Sequence, residues 1–410
     1  MILEERGPGS LSDGARKLAY GLAMMDGFAK RCAAVEDRHQ EAGEEIFSYM
    51  RTPSVARDMI EMVDKMDELR KKQSNRDDGD ERLKLKKRGR REGNVVKLQY
   101  LGFSCGTVLG NYVASLFPER VGRVVLDGVC NADDYSNGGC FQAGPQTCAL
   151  AGLSSSGNPV ILTGADIRVP SLFKPISHLF TGLAVFIFNF ERTLFRGPFQ
   201  NACPILTNDT TTPTPAPAVA DTGSDALTAI VCSDGEDLTS KTFPWWQSYI
   251  DHQKNTCSVF GAYWSQVRFS CARWPFERAN RIFRGPFTTP SPPSPAAAAA
   301  LTTSAGAAAL GAAAPLLFLS NRLDPVTPLS AARAMARRHP GAGLVVQEAL
   351  GHCAIAAAYS SCTRDIVAEY FLTGRVPGEG ERSCEAECGA WDVGCEARMM
   401  GGKDGRDINV

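Results

Sequence analysis

The sequence predicts an α/β fold with a short, mostly parallel sheet flanked by helices, and two observations carry this prediction. A strand pattern at 97–101 is followed by a glycine-containing turn, a helical pattern at 107–117 and the apolar run 123–127. This strand–turn–helix–strand order is typical of α/β proteins, and a fully apolar strand is typical of a buried parallel one. The strand pattern then returns at 315–319 and 343–348.

Helical patterns account for most of the remaining periodicity. Apolar residues recur every three or four positions over residues 12–50, and Thr52-Pro53 has the composition of a helix start. Residues 329–338 and 360–373 are predicted as helices beside the later strands. We infer that the core is divided into two parts. Residues 1–134 form the first part together with N-terminal helices and a charged insertion at 71–96, and residues 315–385 form the second part. Between them lie a largely helical inserted cap at 135–287 and a low-complexity linker at 288–314, and a cysteine-containing tail follows at 386–410.

Composition limits the classes of function. The chain has 410 residues, 44% of them apolar and 22% charged, which is ordinary for a globular enzyme with an insertion. Its net charge of -1 provides no general attraction to nucleic acid or to an acidic membrane surface. The longest apolar run, 179–190, is shorter than the ~18 residues of a spanning helix, so we predict a buried helix there and no membrane span. The basic run 84–91 is interpreted as solvated insertion rather than as a nucleic-acid patch.

Fourteen cysteines favour disulfides in an oxidising compartment. No CxxC pair occurs and only five histidines are present, so the sequence predicts neither a metal nor a cofactor. Cys353 and Cys362 are close enough in sequence for a local disulfide, and Asn208 begins a possible glycosylation site. The first residues carry no apolar signal region.

Gly102-Phe103-Ser104-Cys105-Gly106 fits the pattern G-x-S-x-G. A serine on a sharp strand-to-helix turn has a strained backbone and needs small neighbours, while the helix N-terminus favours developing negative charge. The preceding strand pattern and the following helical pattern supply this context. Ser104 is therefore predicted as a nucleophile, with the backbone N–H of Cys105 as one oxyanion donor.

An acid and a base complete the predicted site. Asp324 follows the strand pattern at 315–319, and His352 follows the one at 343–348. Groups just past the ends of parallel strands lie where open α/β sheets bind ligands, and the order Ser, Asp, His is that of α/β-hydrolases. We therefore predict that His352 is the general base and that Asp324 orients it.

The chain also resembles a family of α/β-hydrolases that has a tripeptidyl-aminopeptidase-like (TAP-like) C-terminal domain and is related to prolyl aminopeptidases. The segments that carry the resemblance are Thr52, Val55–Met59, Tyr100–Gly110, Phe117–Val129, Ser270–Pro275, Arg284–Phe287, Pro315–Leu329, Gly351–Cys353, Ser361–Thr363, Tyr370–Phe371 and Gly374–Pro377. The resemblance implies an α/β-hydrolase fold, a Ser104–His352–Asp324 triad, aminopeptidase activity and secretion.

The sequence departs from the family in its N-terminal part. Members usually begin with a secretory leader and several strands, and a His-Gly-Gly-Pro-Gly loop supplies the second oxyanion amide. Residues 1–94 show no strand pattern, and Arg6–Ser10 is not interpreted as that loop because no strand pattern precedes it. We therefore expect an N-terminally truncated form, with its first strand at an open sheet edge. Cys105 replaces an aromatic residue and is interpreted as a small buried hydrophobe rather than a second nucleophile.

These observations predict a serine hydrolase that cleaves peptide or amide bonds near a free N-terminus through an acyl-enzyme on Ser104. Two alternatives stay open: a carboxylesterase with the same triad, and an inactive truncated remnant. The expected partner is a small peptide or ester. The sequence does not indicate an oligomeric state, and Trp245-Trp246 fits either a substrate pocket or core packing.

Overall fold

The fold was obtained as a computed structural model of the chain. It describes residues 11–41, 47, 49–76, 95–137, 222–256, 261–276, 283–291, 314–324, 326–378 and 380–387. The predicted helix at 179–190, the basic run 84–91, Asn208 and Arg6–Ser10 lie outside these residues, as does most of the tail.

The described elements alternate between helices and strands in the order expected of an α/β protein. In chain order they are α1 (Ala15–Glu41), α2 (Thr52–Arg76), β1 (Leu98–Phe103), α3 (Cys105–Leu116), β2 (Val121–Asp127), α4 (Ala132–Ser136), α5 (Thr222–Asp234), α6 (Phe243–Thr256), α7 (Gly261–Phe269), β3 (Leu317–Leu323), α8 (Leu329–Arg338), β4 (Gly343–Leu350), α9 (Ala354–Ala357), α10 (Ser361–Thr373) and β5 (Glu381–Glu385).

The five strands form one sheet in the order β1-β2-β3-β4-β5, and every neighbouring pair is parallel. The prediction of an α/β fold with a parallel sheet is confirmed. Strand β1 is at one edge of the described sheet, as expected from the sequence. All carboxyl ends of parallel strands point to the same edge of the sheet, so the residues that follow β1, β3 and β4 share that edge.

Alternation along the strands gives the sheet two apolar faces. Val124 and Leu126 of β2 pack with α3 and α8 in one core cluster, whereas Val125 packs with Tyr370 of α10 in another. The Tyr370 hydroxyl accepts the Val124 N–H at 2.8 Å and donates to the Pro315 carbonyl at 2.7 Å, which fixes α10 against β2 and the start of β3. Helices therefore cover both faces, which explains why these strands are apolar throughout rather than alternating.

A second apolar core joins α1 to α5, α6 and α7, which we call the helical layer. Its fully buried centre includes Leu18, Trp246, Ile250 and Phe269. Trp246 is thus core packing rather than a wall of a pocket. None of the described helices is long and apolar enough to cross a membrane.

Asp234, at the end of α5, anchors the helical layer to the sheet domain. Its carboxylate accepts the N–H and hydroxyl of Thr52 at the start of α2, and the hydroxyl of Tyr135 in α4 at 2.8 Å. Because α4 follows β2 closely, this contact holds the helical layer near the carboxyl edge of the sheet.

Five predictions about local structure were wrong. The first helix ends at Glu41 rather than near residue 50, and α2 continues to Arg76, into the predicted insertion, where Lys71 pairs with Asp67 one turn earlier. The low-complexity Thr/Pro composition of residues 207–225 predicts a loop, but helix α5 already begins at Thr222. Strand β5 was missed, because a short edge strand with a single buried residue, Cys384, has no apolar pattern to detect.

The fifth wrong prediction concerns the pairing of the cysteines. Cys362 lies at disulfide distance from Cys384, and Cys232 from Cys271, whereas Cys353 is a buried free thiol. The predicted Cys353–Cys362 pair is wrong because Cys353 faces the end of β2 while Cys362 lies on α10 against β5. The two pairs are compatible with an extracellular protein.

Candidate active site

Ser104 lies on the turn between β1 and α3, with φ 52° and ψ -121°. A positive φ is costly for a residue with a side chain, on the order of 1–3 kcal/mol, and such strain concentrates at functional sites. The turn is held by the Ser104 N–H, which donates to the Asp127 carbonyl at 3.0 Å, and by the Thr107 hydroxyl, which donates to the Ser104 carbonyl.

The two glycines of the motif differ in how strictly the turn requires them. A Cβ on Gly102 would lie 2.7 Å from the Gly106 carbonyl oxygen and 2.6 Å from the Tyr100 ring. A Cβ on Gly106 would meet only the Tyr100 hydroxyl, at 3.1 Å. Gly102 is therefore required by close backbone approach, while the space around Gly106 is merely tight.

Asp324 directly follows β3 and is almost completely buried. Its carboxylate accepts four hydrogen bonds apart from the one with the histidine: from the N–H groups of Val326 and Thr327, the hydroxyl of Thr327, and the N–H of Cys353. Burial alone would raise the pKa of Asp324, but the charge and hydrogen bond of His352 and these backbone donors lower it instead. Asp324 is therefore a buried carboxylate that stays ionised.

His352 follows β4 and is also buried. Its Nδ1 atom is 3.0 Å from each carboxylate oxygen of Asp324. Burial favours the neutral ring, yet the charge and hydrogen bond of Asp324 outweigh it, so the pKa of His352 is raised above its ordinary value. An ionised Asp324 fixes the proton on Nδ1, which leaves Nε2 as the acceptor.

The Nε2 atom of His352 is buried and has no hydrogen-bond partner among the described residues. The structure thus joins Asp324 and His352 directly, whereas the Ser104 hydroxyl does not donate to Nε2. In ligand-free enzymes this bond is often long and tightens only when substrate binds. Ser104 and His352 are nevertheless linked through the end of β2. The Asp127 carbonyl accepts both the Ser104 N–H and, at 3.5 Å, the thiol of Cys353.

Gly128 permits this close approach of the two loops. It has φ +67°, and a Cβ there would lie 2.5 Å from the Cys353 sulfur and 3.0 Å from the Cε1 atom of His352. Any side chain at this position would displace the imidazole or the thiol.

Several residues of the site were missed by sequence reasoning. The Thr327 hydroxyl lies 2.8 Å from Asp324 and 3.2 Å from His352 Nδ1. The Asn321 side chain donates to the carbonyls of Gly351 and Cys353, and Gln347 donates to those of Ala354 and Ala358. The available signal was polar residues inside apolar strands: Asn321 in β3 and Gln347 in β4 are both fully buried.

Cys105 begins α3 directly after Ser104, so its N–H is among the first helix amides, which lack an intrahelical acceptor. The residue is exposed, contrary to the buried position expected. A hydrogen bond with Cys130 and burial around the sulfur raise the pKa of the Cys105 thiol, which keeps it protonated. A protonated thiol is a poor nucleophile, and the role of Cys105 stays a prediction.

Comparison with known proteins identifies the C-terminal part of the chain. Residues 257–384 match a family of α/β-hydrolase domains described as TAP-like protein. The matched segment contains β3 and β4 together with Asp324 and His352, and Ser104 precedes it. No curated protein matches the chain. The family indicates hydrolase activity, and the chain carries the TAP-like C-terminal domain of an α/β-hydrolase.

Proposed function

We propose that this chain is a serine hydrolase in which Ser104 is the nucleophile, His352 the general base and Asp324 the residue that orients the base. One observation carries the proposal. A buried Asp324–His352 pair leaves Nε2 free to accept a proton, at the same sheet edge as a serine on a strained strand-to-helix turn. A buried carboxylate beside a buried imidazole is costly to maintain, which favours a chemical role over a purely structural one.

The reaction follows from these positions. The Ser104 hydroxyl attacks the substrate carbonyl and its proton passes to His352 Nε2, while Asp324 stabilises the imidazolium. The imidazolium then protonates the leaving group, which departs and leaves an acyl ester on Ser104. A water molecule that loses its proton to Nε2 hydrolyses this ester and restores the serine. The N–H of Cys105 at the start of α3 donates to the oxyanion.

The substrate class that we propose is a small peptide or amide with a free N-terminus. The resemblance to aminopeptidases supports it, since the triad by itself serves amides and esters alike. The helical layer supports a cap that selects substrates, because Asp234 anchors it beside α4 at the carboxyl edge of the sheet. We also propose that the protein is secreted, in keeping with its two cysteine pairs at disulfide distance.

A fluorophosphonate probe tests the nucleophile, because it reacts covalently only with an activated serine. We expect labelling of the full chain, no labelling of Ser104→Ala, and unchanged labelling of the control Ser330→Ala, which alters an exposed serine on α8. If Ser104→Ala is labelled as fast as the unaltered chain, Ser104 is not the nucleophile. An unlabelled wild-type chain would support the inactive remnant.

The choice between peptidase and esterase needs paired substrates. We expect turnover of an alanyl p-nitroanilide, and loss of that turnover when the amine is acetylated, because a blocked N-terminus removes the group that an aminopeptidase recognises. Turnover of a short p-nitrophenyl ester alone, abolished by Ser104→Ala, would assign the chain as a carboxylesterase.

A further inference from the structure

Asp127 is the last residue of β2 and is completely buried between the serine turn and the segment 351–358, which we call the histidine loop. Its main chain already contacts both, because its carbonyl accepts the Ser104 N–H and the Cys353 thiol. The strand pairing places Asp127 opposite Phe103 of β1 on one side and Leu319 of β3 on the other. Asp127 therefore lies at the centre of the carboxyl edge of the sheet.

The side chain of Asp127 extends this contact to the histidine loop. Oδ1 accepts the Ala354 N–H at 2.6 Å, and Oδ2 accepts the Ile355 N–H at 2.8 Å. These amides belong to the first turn of α9, where N–H groups have no acceptor within the helix. Both carboxylate oxygens are thus used to hold the backbone two and three residues after His352.

The other contacts of the histidine loop show what Asp127 adds. Asn321 and Gln347 bind its carbonyl groups, and Asp324 binds the Cys353 N–H. Asp127 contacts both this loop and the serine turn by hydrogen bonds, and it does so through its carboxylate as well as its main chain. A change in Asp127 would move the base relative to the nucleophile, whereas a change in Asn321 or Gln347 would act on the histidine loop alone.

Asp127 also acts on the charge of the site. The charged or titratable groups that face it are Asp324, His352 and the Cys353 thiol, and its own charge raises the pKa of His352. Burial raises the pKa of Asp127 to about 6, so the side chain is ionised in neutral and alkaline solution.

We infer that Asp127 is a positioning residue that sets the distance between the Ser104 hydroxyl and His352 Nε2, its main chain holding the nucleophile turn and its carboxylate holding the base. The inference rests on the proposed function, since it assigns a role within the same triad. It requires no contact between Asp127 and the substrate.

Asp127→Asn tests this role because it keeps the shape of the side chain and removes its charge and one acceptor oxygen. The second-order rate constant of fluorophosphonate labelling is measured from about pH 5 to about pH 9. A displacement of about 1 Å costs on the order of 100-fold in rate, so we expect a loss of about 10- to 100-fold at about pH 8. The acid limb of the profile should move to lower pH, because the pKa of His352 loses a negative neighbour. The matched control is Asp134→Asn, an exposed carboxylate in α4.

The rate constant separates positioning from folding, since a smaller folded fraction lowers the amplitude of labelling but not its rate constant. An Asp127→Asn chain with a rate constant within about twofold of Asp134→Asn and the same acid limb overturns the inference. If the wild-type chain is not labelled at all, the proposed function fails, which is a different outcome.

A measurement on the unaltered chain covers the case in which Asp127→Asn does not fold. Hydrogen–deuterium exchange should show Ala354 and Ile355 amides as slowly exchanging as those of β4, because both are bonded to Asp127. Rapid exchange of these two amides would show that the carboxylate does not hold the histidine loop and would overturn the inference.

Discussion

The two halves of the candidate site are constructed differently. The nucleophile half is mostly local: residues 98–107 form its turn, with the Tyr100 hydroxyl bonded to the Gly106 carbonyl at 2.8 Å, and its contact with β2 is made by main-chain atoms. The acid–base half is assembled from the ends of β3 and β4, and the hydrogen bonds between these two ends join residues 25 to 29 positions apart. The geometry of the nucleophile half therefore depends on room for the backbone at its glycines, whereas the geometry of the acid–base half depends on buried hydrogen bonds.

The surroundings of the two halves differ as well. Ser104 follows the edge strand β1, where Leu101 is 37% exposed and Cys105 is exposed. Asp324 and His352 are only 2% and 5% exposed. A polar group that loses its partner in the buried half keeps the full cost of desolvation, while the exposed half can exchange partners with water. We therefore expect substitutions in the acid–base half to have the larger effects on chemistry.

Among substitutions that leave Ser104 in place, the largest effect is expected for Asp324→Asn. An amide N–H directed at His352 favours the tautomer with its proton on Nε2, which cannot accept the Ser104 proton. Labelling by a fluorophosphonate should slow by about 10⁴-fold, and the acid limb of its pH profile should move to lower pH because the pKa of His352 is no longer raised. Asp365→Asn, an exposed carboxylate on α10, is the control. If labelling of Asp324→Asn slows by less than tenfold, Asp324 does not orient the general base.

A smaller effect is expected from crowding the nucleophile half. Gly102→Ala places a Cβ against the Gly106 backbone, so we expect a loss of about 1–3 kcal/mol in the free energy of unfolding and about 100-fold slower labelling. Gly106→Ala meets only the Tyr100 hydroxyl and should be milder. Gly27→Ala on α1 meets nothing within 4 Å and should stabilise the protein slightly. Equal effects of the first two substitutions would contradict the different crowding at the two glycines.

His339 links α8 to α3, away from the reacting groups, and should affect stability rather than chemistry. It follows α8, and its Nε2 contacts Asn111 of α3 at 2.9 Å. Burial lowers the pKa of His339 to about 4, below the 6.5 of an unfolded chain. Between these values only the unfolded chain gains the proton, so stability is lost as the pH falls, by about 3 kcal/mol in full. Urea unfolding should show this loss reduced in His339→Gln but unchanged in the exposed control His252→Gln. If the free energy of unfolding falls with pH equally in His339→Gln and in wild type, His339 does not cause the loss of stability.

The smallest effect on the site is expected from the cysteine pairs, which lie apart from both halves. Replacing Cys362 and Cys384 with alanine should lower the free energy of unfolding by about 3 kcal/mol and leave the labelling rate constant unchanged. The Cys232 and Cys271 pair in the helical layer should behave alike. If a reductant leaves wild-type thermal stability unaltered, these cysteines are not bonded in solution.

Much of the fold was predictable because its strands are apolar and its helices periodic. Helix α8 was predicted at its observed bounds, and β1 to β4 were found within a few residues. Sequence patterns did not predict the helix that starts at Thr222 or the edge strand β5. Both segments have polar or mixed patterns and form regular structure only through contacts with their neighbours. For the same reason the partner of Cys362 was wrong: pairing follows distance in space, not in sequence.

The sequence by itself determined the serine turn, since Gly102 and Gly106 supply the space that its backbone needs, and it determined the order of the three predicted triad residues. Only the tertiary structure decided that Asp324 and His352 touch, that Thr327, Asn321 and Gln347 hold them, and that Asp127 joins the histidine loop to the serine turn. The physical reason is that a turn is set by local backbone sterics. A buried polar network instead requires donors and acceptors from β2, β3 and β4, which have no fixed spacing in the chain.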